Sequence, residues 1–312
     1  MRNRATEEMP KFRIKMLIYN KYIIQMRKEK DSIFDKILNL YTKPTEVLIP
    51  RKSLGQHKLV KKSILEKIGS FAKKDEIVLE IGGGEGNLTK ILEKNSKLVI
   101  CFEIDERNFN HLKKIIEFGV IIRADFLKTK LEEIYRIYEK EKEVAIKGDT
   151  EKVKEILSQK EKIKIISNIP FYISSQLIHK IITEIFVIKS VHLLTQHEFA
   201  EKVSANEGSE NYSAISCITR FFFEPKIEFI VPNFFFRPIP KVNAAFLSLY
   251  PREKKVDLFY QDNNNAQEKI LKFIDFCYQS FKRRKKLMGE KRVYQISPDE
   301  IFEEFRKRTK LL

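Results

Sequence analysis

The stretch SNIPFYISS at 167–175 sets a carboxamide, a proline and a phenyl ring side by side, Asn168, Pro170 and Phe171, directly after the apolar run IKII. An amide at the mouth of a strand can donate and accept hydrogen bonds, while Pro170 fixes its own φ at about −65° and biases Ile169 away from helix. On residue type alone the simpler reading makes Asn168 the cap of a helix beginning near Ser174 and Phe171 a core residue. Other parts of the chain favour chemistry. In EIGGGEGN, residues 80–87, Gly82, Gly84 and Gly86 recur every second position at a strand end, which permits tight turns and close approach of a ligand to the backbone. The rhythm is not GxGxxG, and no GK[ST] follows to seek phosphates. Glu103, in CFEID, ends the next strand where a ribose diol can be held, so the spacing points to a nucleoside without a long phosphate chain. Asp125, in RADF, ends a third strand and can accept from the exocyclic amine of an adenine, with Ile104 and Phe126 as apolar walls. Either acid taken alone could instead cap the following helix. Three such sites at successive strand ends share one crevice, where ligands of open α/β sheets bind.

The elements that must position these residues follow βαβ grammar. A helix at KKSILEKIGSFA precedes EIVLEIGGGEGNLTKILEK and KLVICFEIDERNFNHLKKIIE, each a strand running into a helix, and GVIIRADF is a third strand. From Leu131 to Lys162 Lys and Glu alternate, which reads as a solvated helix or insertion within the domain. KIKIISNIPF is a fourth strand, SSQLIHKIITEIF a helix and SVHLLTQ a fifth strand. ITRFFFEPKIEFI and AAFLSLYPRE, joined across the Pro-rich turn PNFFFRPIPKVN, predict an antiparallel finish to a mostly parallel sheet. Beyond about Lys254 the pattern turns helical and basic, with EKILKFIDFCYQSFKRRKKLMGE as one helix and PDEIFEEFRKR as another. The expected organisation is therefore an unassigned extension over 1–50, containing a helix through DSIFDKILNLY, an α/β domain over 51–252 and a small basic helical domain over 253–312.

Composition narrows the partner and the compartment. Sixty Lys and Arg against 43 Asp and Glu give a formal charge of +17, which favours a polyanion over a small neutral solute, although AT-rich codon usage could supply part of the excess. The run KRRKK at 282–286 concentrates that field in a form suited to phosphates. Three widely spaced cysteines without CxxC spacing fit a reducing compartment, the cytoplasm by default. Apolar stretches fall short of the roughly 20 residues a spanning helix needs, so no membrane is implied. The five histidines form no HExxH or other metal spacing, and no serine sits in a nucleophile elbow.

With these motifs in order, the chain resembles the ribosomal RNA adenine N6-dimethyltransferase family from about residue 51 to residue 252. LGQHKLV resembles the family's entry motif, VLEIGGGEGNLT its cofactor loop, EID its ribose acid, RADF its adenine contact and SNIPFYISS its catalytic motif, with QHEFAEKV, NYSAIS and FFFRPIPKVNAAF as later landmarks. The resemblance implies an α/β, Rossmann-like class I S-adenosylmethionine-dependent methyltransferase sheet. It places Gln56, His57 and Leu59 beside the amino-acid end of S-adenosylmethionine, Gly82 and Gly84 beneath it, Glu103 at the ribose and Asp125 at the adenine. Asn168 becomes the catalytic asparagine, Phe171 the aromatic that stacks the target base and Phe236 a second aromatic lining its pocket. His57 stands where bacterial members usually carry Asn, an archaeal and eukaryotic flavour, while NIPF also occurs in resistance-type methylases.

Adenine N6 is a poor nucleophile because its lone pair is delocalised into the ring. Accepting both N6 hydrogens, on the Asn168 oxygen and on a carbonyl of Ile169 or Pro170, would make the nitrogen more pyramidal and aim it at a methyl group. The implied reaction is dimethylation of two adjacent adenines near the 3′ end of small-subunit ribosomal RNA, by a monomer acting on the subunit or its precursor. The alternatives are a large-subunit adenine methylase of macrolide-resistance type and a non-catalytic ribosome assembly or RNA-binding factor.

Overall fold

Continuous branched apolar runs are what a strand needs when a sheet is covered on both faces, and Ile77–Ile81 and Leu98–Phe102 are buried at every position. The computed structural model describes residues 57–139, 143–260, 266–283 and 285–309. The extension over 1–50 with its expected helix, and Gln56, lie outside the described residues. In chain order the strands are β1 Lys58–Leu59, β2 Ile77–Ile81, β3 Leu98–Phe102, β4 Gly119–Ile122, β5 Val144–Lys147, β6 Ile163–Asn168, β7 Ile188–Gln196, β8 Phe223–Val231, β9 Phe236–Arg237, β10 Ala244–Pro251, β11 Leu287–Met288 and β12 Lys291–Arg292. The helices are α1 Lys62–Gly69, α2 Thr89–Asn95, α3 Glu106–Ile115, α4 Thr150–Ser158, α5 Ser174–Thr183, α6 His197–Ser204, α7 Ala214–Phe222, α8 Glu253–Tyr260, α9 Ala266–Phe281 and α10 Pro298–Thr309.

One eight-stranded sheet has the order β5-β4-β3-β2-β6-β7-β10-β8. Its five central strands, β4, β3, β2, β6 and β7, are parallel. β10 runs antiparallel between β7 and β8, the antiparallel finish expected from the sequence. After β2 the chain first builds outward through β3 and β4 and then returns to add β6 on the other side. The strand order therefore reverses at the β2–β6 seam, which is where ligands bind in such sheets. β1 and β9 form a separate antiparallel pair, Lys58 opposite Arg237 and Leu59 opposite Phe236, that carries the start of the described chain to the Pro-rich turn.

Three expectations are corrected. The first part of ITRFFFEPKIEFI is helix: α7 continues to Phe222, with Phe221 and Phe222 buried, and the strand starts only at Phe223. The stretch 131–162 is more than a solvated insertion. Leu131, Ile134 and Tyr135 pack in one core with Val153, Ile156 and Leu157 of α4, while Val144–Lys147 closes the sheet edge against β4. Alternating charge hid these positions because the apolar residues recur at helical spacing among Lys and Glu. Finally, α9 stops at Phe281, so Lys282 and Arg283 lie in a turn leading to the β11–β12 hairpin rather than in a helix.

The C-terminal helices share the sheet's core. Phe221 of α7 lies 4.8 Å from Phe273 of α9 and 4.6 Å from Phe302 of α10, and Phe273 lies 5.4 Å from Phe305. Such close aromatic contacts stabilise beyond the area they bury. Among the described residues no helix is long and apolar enough to cross a membrane. A common core predicts that Phe273→Ala costs about 3–5 kcal/mol. Urea unfolding followed by circular dichroism should show a single transition displaced to lower denaturant, whereas an independent C-terminal unit would give two.

Candidate active site

β2 and β6 end beside one another, and Ser167 Oγ donates to Ile81 O at 2.6 Å across the seam. The next residues are Gly82 on one strand and Asn168 on the other. Both line a cavity of about 320 Å³ together with His57, Leu59, Gly84, Ile169, Pro170 and Phe171. Most of the residues expected at the amino-acid end and at the target base thus meet in one place.

The loop after β6 is fixed at its far end too. Ile173 N–H donates to Pro170 O at 3.2 Å, closing the turn Phe171–Ile173. Ser174 Oγ donates to Phe171 O at 2.9 Å and is 3.0 Å from Thr195 Oγ1 on β7. Asn168 does not cap α5; its amide nitrogen makes a long contact, 3.5 Å, to His57 O, and its oxygen has no partner among the described residues. With Pro170 O engaged in the turn, Ile169 supplies the more available carbonyl beside it. The Phe171 ring lies 5.8 Å from the His57 imidazole, whose Nδ1 is 2.8 Å from Pro238 O.

Gly82 and Gly84 have φ of +77° and +54°, the left-handed region that side chains rarely adopt. A Cβ on Gly84 would meet nothing within 4 Å, so the backbone there faces open space. Gly84 N–H donates to Glu103 Oε2 at 2.7 Å, and Asp105 N–H donates to Oε1 at 2.8 Å. Glu103 is therefore oriented before any ligand arrives. Asp105, rather than Glu103, caps α3 through the N–H groups of Arg107 and Asn108. Asp125 does cap the short turn after it, accepting from Leu127 N–H at 3.0 Å, which leaves its second oxygen 4.0 Å from Lys128 Nζ. Glu103 and Asp125 stand outside the walls of the cavity, and Ile104 beside them is 57% exposed.

Two side chains are not where the sequence reading put them. Phe126 is buried, edge-on at 5.2 Å to Phe102, and so forms core rather than an adenine wall. Phe236 is 0% exposed within the cluster of Leu59, Leu194 and Phe246, and it does not line the cavity; its neighbour Arg237 does. The alternation of a strand explains the exchange, since β9 points successive side chains to opposite faces.

Sequence reasoning missed Glu80. It lines the cavity yet is buried, and its Oε2 has no hydrogen-bond partner among the described residues. Burial pushes its pKa up to about 8, with nearby Thr89 and Cys101 lowering it and Glu103 raising it. The one available signal was an acid inside an otherwise apolar strand, VLEIG. Lys58, Asn108 and Arg237 also line the cavity; Lys58 pairs with Glu85, and Arg237 donates to Phe234 O at 2.9 Å and Phe236 O at 2.8 Å.

The family model for ribosomal RNA adenine dimethylase matches residues 49–309. This chain belongs to that family. Within the ribosomal RNA adenine dimethylases, similar curated proteins include ribosomal RNA small subunit methyltransferase A of Mycoplasmopsis synoviae, 36% identical over 243 residues, covering 76% of this chain and 80% of the relative. The protein of the same name from Ureaplasma parvum is 32% identical over 256 residues, covering 80% and 83%. Among solved structures, a dimethyladenosine transferase from Plasmodium falciparum has a TM-score of 0.60 at 24% identity, covering 81% of this chain and 98% of that one. The 23S rRNA methyltransferase ErmE has a TM-score of 0.51 at 20% identity, with 80% and 98% covered. The class I methyltransferase fold is common to both. Among the described residues no group of three or more His, Cys, Asp or Glu could hold a metal ion.

The raised Glu80 pKa carries a sign that can be checked. The folded protein keeps a proton that the unfolded chain releases near 4.5, so this contribution is full below that pH and is lost as pH rises through about 8. Between about pH 5 and pH 8 the melting temperature of Glu80→Gln should fall less than that of the wild type, as differential scanning calorimetry would show. Parallel curves would mean that Glu80 is already ionised.

Proposed function

We infer that this protein transfers methyl groups from S-adenosylmethionine to adenine N6 in ribosomal RNA, dimethylating two adjacent adenines near the 3′ end of the small-subunit RNA. The observation that carries the reading is the meeting of Asn168, Ile169, Pro170 and Phe171 with the glycine loop in a single cavity at the β2–β6 seam. The small-subunit assignment is supported by the names of the curated relatives. A cytoplasmic monomer acting on the subunit or its precursor fits the free cysteines and the basic charge.

The residues present suit the methyl donor. Glu103 is set for a ribose diol and Asp125 for an adenine edge; Gly82 and Gly84 leave room for close approach, and Glu80, whose Oε2 has no partner among the described residues, lines the same cavity. When bound, S-adenosylmethionine supplies an electrophilic methyl group on a sulfonium. Everything else is positioning by this chain. Asn168 Oδ1 and the Ile169 carbonyl accept the two N6 hydrogens and hold the nitrogen's lone pair out of the ring plane. Phe171 holds the base by stacking, a contact worth about 1–3 kcal/mol. After transfer the amine proton passes to water, so no side-chain base is required. The adenine must leave its stack to reach this depth, which favours a loop or helix end as substrate.

Incubation with tritiated S-adenosylmethionine and with small and large subunits lacking the modification should label the small subunit as dimethyladenine near the RNA 3′ end. Asn168→Ala should reduce that label on the order of a hundredfold or more, and Phe171→Leu about tenfold. Label confined to the large subunit would overturn the assignment of substrate. Tight binding of subunits with no label on either would overturn the catalytic reading altogether.

A further inference from the structure

A second cavity, of about 370 Å³, lies between the end of α9, the β11–β12 hairpin and α10, and shares no lining residue with the first. Phe276, Leu287, Met288 and Val293 give it apolar walls, and Arg283, Lys286 and Arg308 line it with positive charge. Among the described residues no carboxylate lines it, in contrast to the first cavity with Glu80 and Glu85. The three cations are not equivalent. Arg308 donates to Glu304 at 2.6 Å, and its guanidinium lies 5.8 Å from the centre of the Phe276 ring, so it is neutralised and held beside the apolar wall. The side chains of Arg283 and Lys286 have no ion pair among the described residues, and both are exposed. Leu287, the first residue of the hairpin, follows Lys286 directly and is 62% exposed, an apolar side chain left to water beside the cations.

That combination selects a ligand. Inorganic phosphate has no use for an apolar wall, and an apolar peptide has none for two unpaired cations. An unpaired nucleotide needs both, a flat or apolar surface for the base and a cation for the phosphate. The volume also falls within the range of small-ligand pockets, roughly 300–1,000 Å³.

We propose that this cavity binds one splayed-out nucleotide of the RNA substrate, separate from the methylated adenine, with the base against Phe276, Leu287 and Met288 and its phosphate on Arg283 and Lys286. The proposal rests on the reading of the substrate as RNA. It gives the basic C-terminal segment a defined point of attachment that would fix the RNA's direction across the enzyme.

The full-length protein, with Arg283→Ala/Lys286→Ala and Leu287→Ser as variants that melt like the wild type, is titrated by fluorescence anisotropy against a labelled single-stranded RNA across a range of salt. The double variant should weaken binding about tenfold and lower the salt slope by about 0.7, the value for one single-strand phosphate. Leu287→Ser should weaken it about threefold or more with the slope unchanged. Loss in the double variant with none in Leu287→Ser would mean diffuse charge and overturn the pocket. Adenosine monophosphate binding at micromolar concentration, with RNA affinity equal in all variants, would make it a free-nucleotide site and overturn the RNA assignment. Weakened binding to whole subunits but not to naked RNA would point to a ribosomal protein and overturn it as well. Methyl transfer by the wild type on the same subunits separates this test from its premise. If transfer is normal and the variants bind RNA as the wild type does, only the pocket fails; if the wild type transfers nothing, the parent reading fails.

Discussion

A hydrogen bond from Ser167 Oγ to Ile81 O joins the ends of two parallel strands, and the chemistry we propose is built on the residues one step beyond it. Gly82 begins the loop and Asn168 the corner that, on the proposed function, receive the methyl donor and the adenine. Transfer between two bound groups depends on their mutual placement to within an ångström. A buried side chain bridging the two strand ends is a direct way to hold that placement, because neither partner can shift without leaving a polar group unsatisfied. The sheet supplies the rest of the rigidity. β2 and β6 are parallel neighbours at the point where strand order reverses, with buried layers on both faces.

The electrostatics around this seam are divided between the two ends of the site. Glu103 is fixed by two backbone N–H groups, while the pKa of Glu80, on the neighbouring strand β2, is pushed up to about 8, chiefly by burial. The neighbouring Glu103 adds to that rise, while Thr89 and Cys101 oppose it. Lys58 and Arg237 lie opposite each other on β1 and β9, and the repulsion expected of such a pair is relieved by Glu85 on one side and by backbone carbonyls on the other.

Much of this was legible in the sequence. The buried strands of a parallel sheet are largely apolar, branched runs, so β2, β3, β4, β6 and β7 could be read directly despite Glu80, Lys164 and His192 within them. The strand-end positions of Gly82, Gly84 and Asn168 could be read from the sequence, and the structure brings them with Phe171 into one cavity, while Glu103 stands outside its walls. What failed were positions whose environment depends on distant chain. Phe236 looked like a pocket aromatic, yet pairing of β9 with β1, almost 180 residues earlier, turns it into the core and presents Arg237 instead. Phe126 was lost to the core by contact with Phe102 on the neighbouring strand. Glu80 went unnoticed because an isolated acid in a strand carries no local sign of whether it will be solvated or buried. Mixed charge concealed the edge strand β5, whose residues are only partly buried, and α4, in which only Val153, Ile156 and Leu157 are buried.

The seam itself offers the most direct test. In single-turnover reactions with saturating RNA, Ser167→Ala should lower the rate constant for methyl transfer about tenfold or more, while the affinities for S-adenosylhomocysteine and for RNA stay within about threefold of wild type. That split between rate and binding is the mark of lost alignment between two groups that remain bound. A rate constant unchanged from wild type in a folded Ser167→Ala protein would contradict the account, for the glycine loop and Asn168 would then be held in register by something other than the bond that joins their strands.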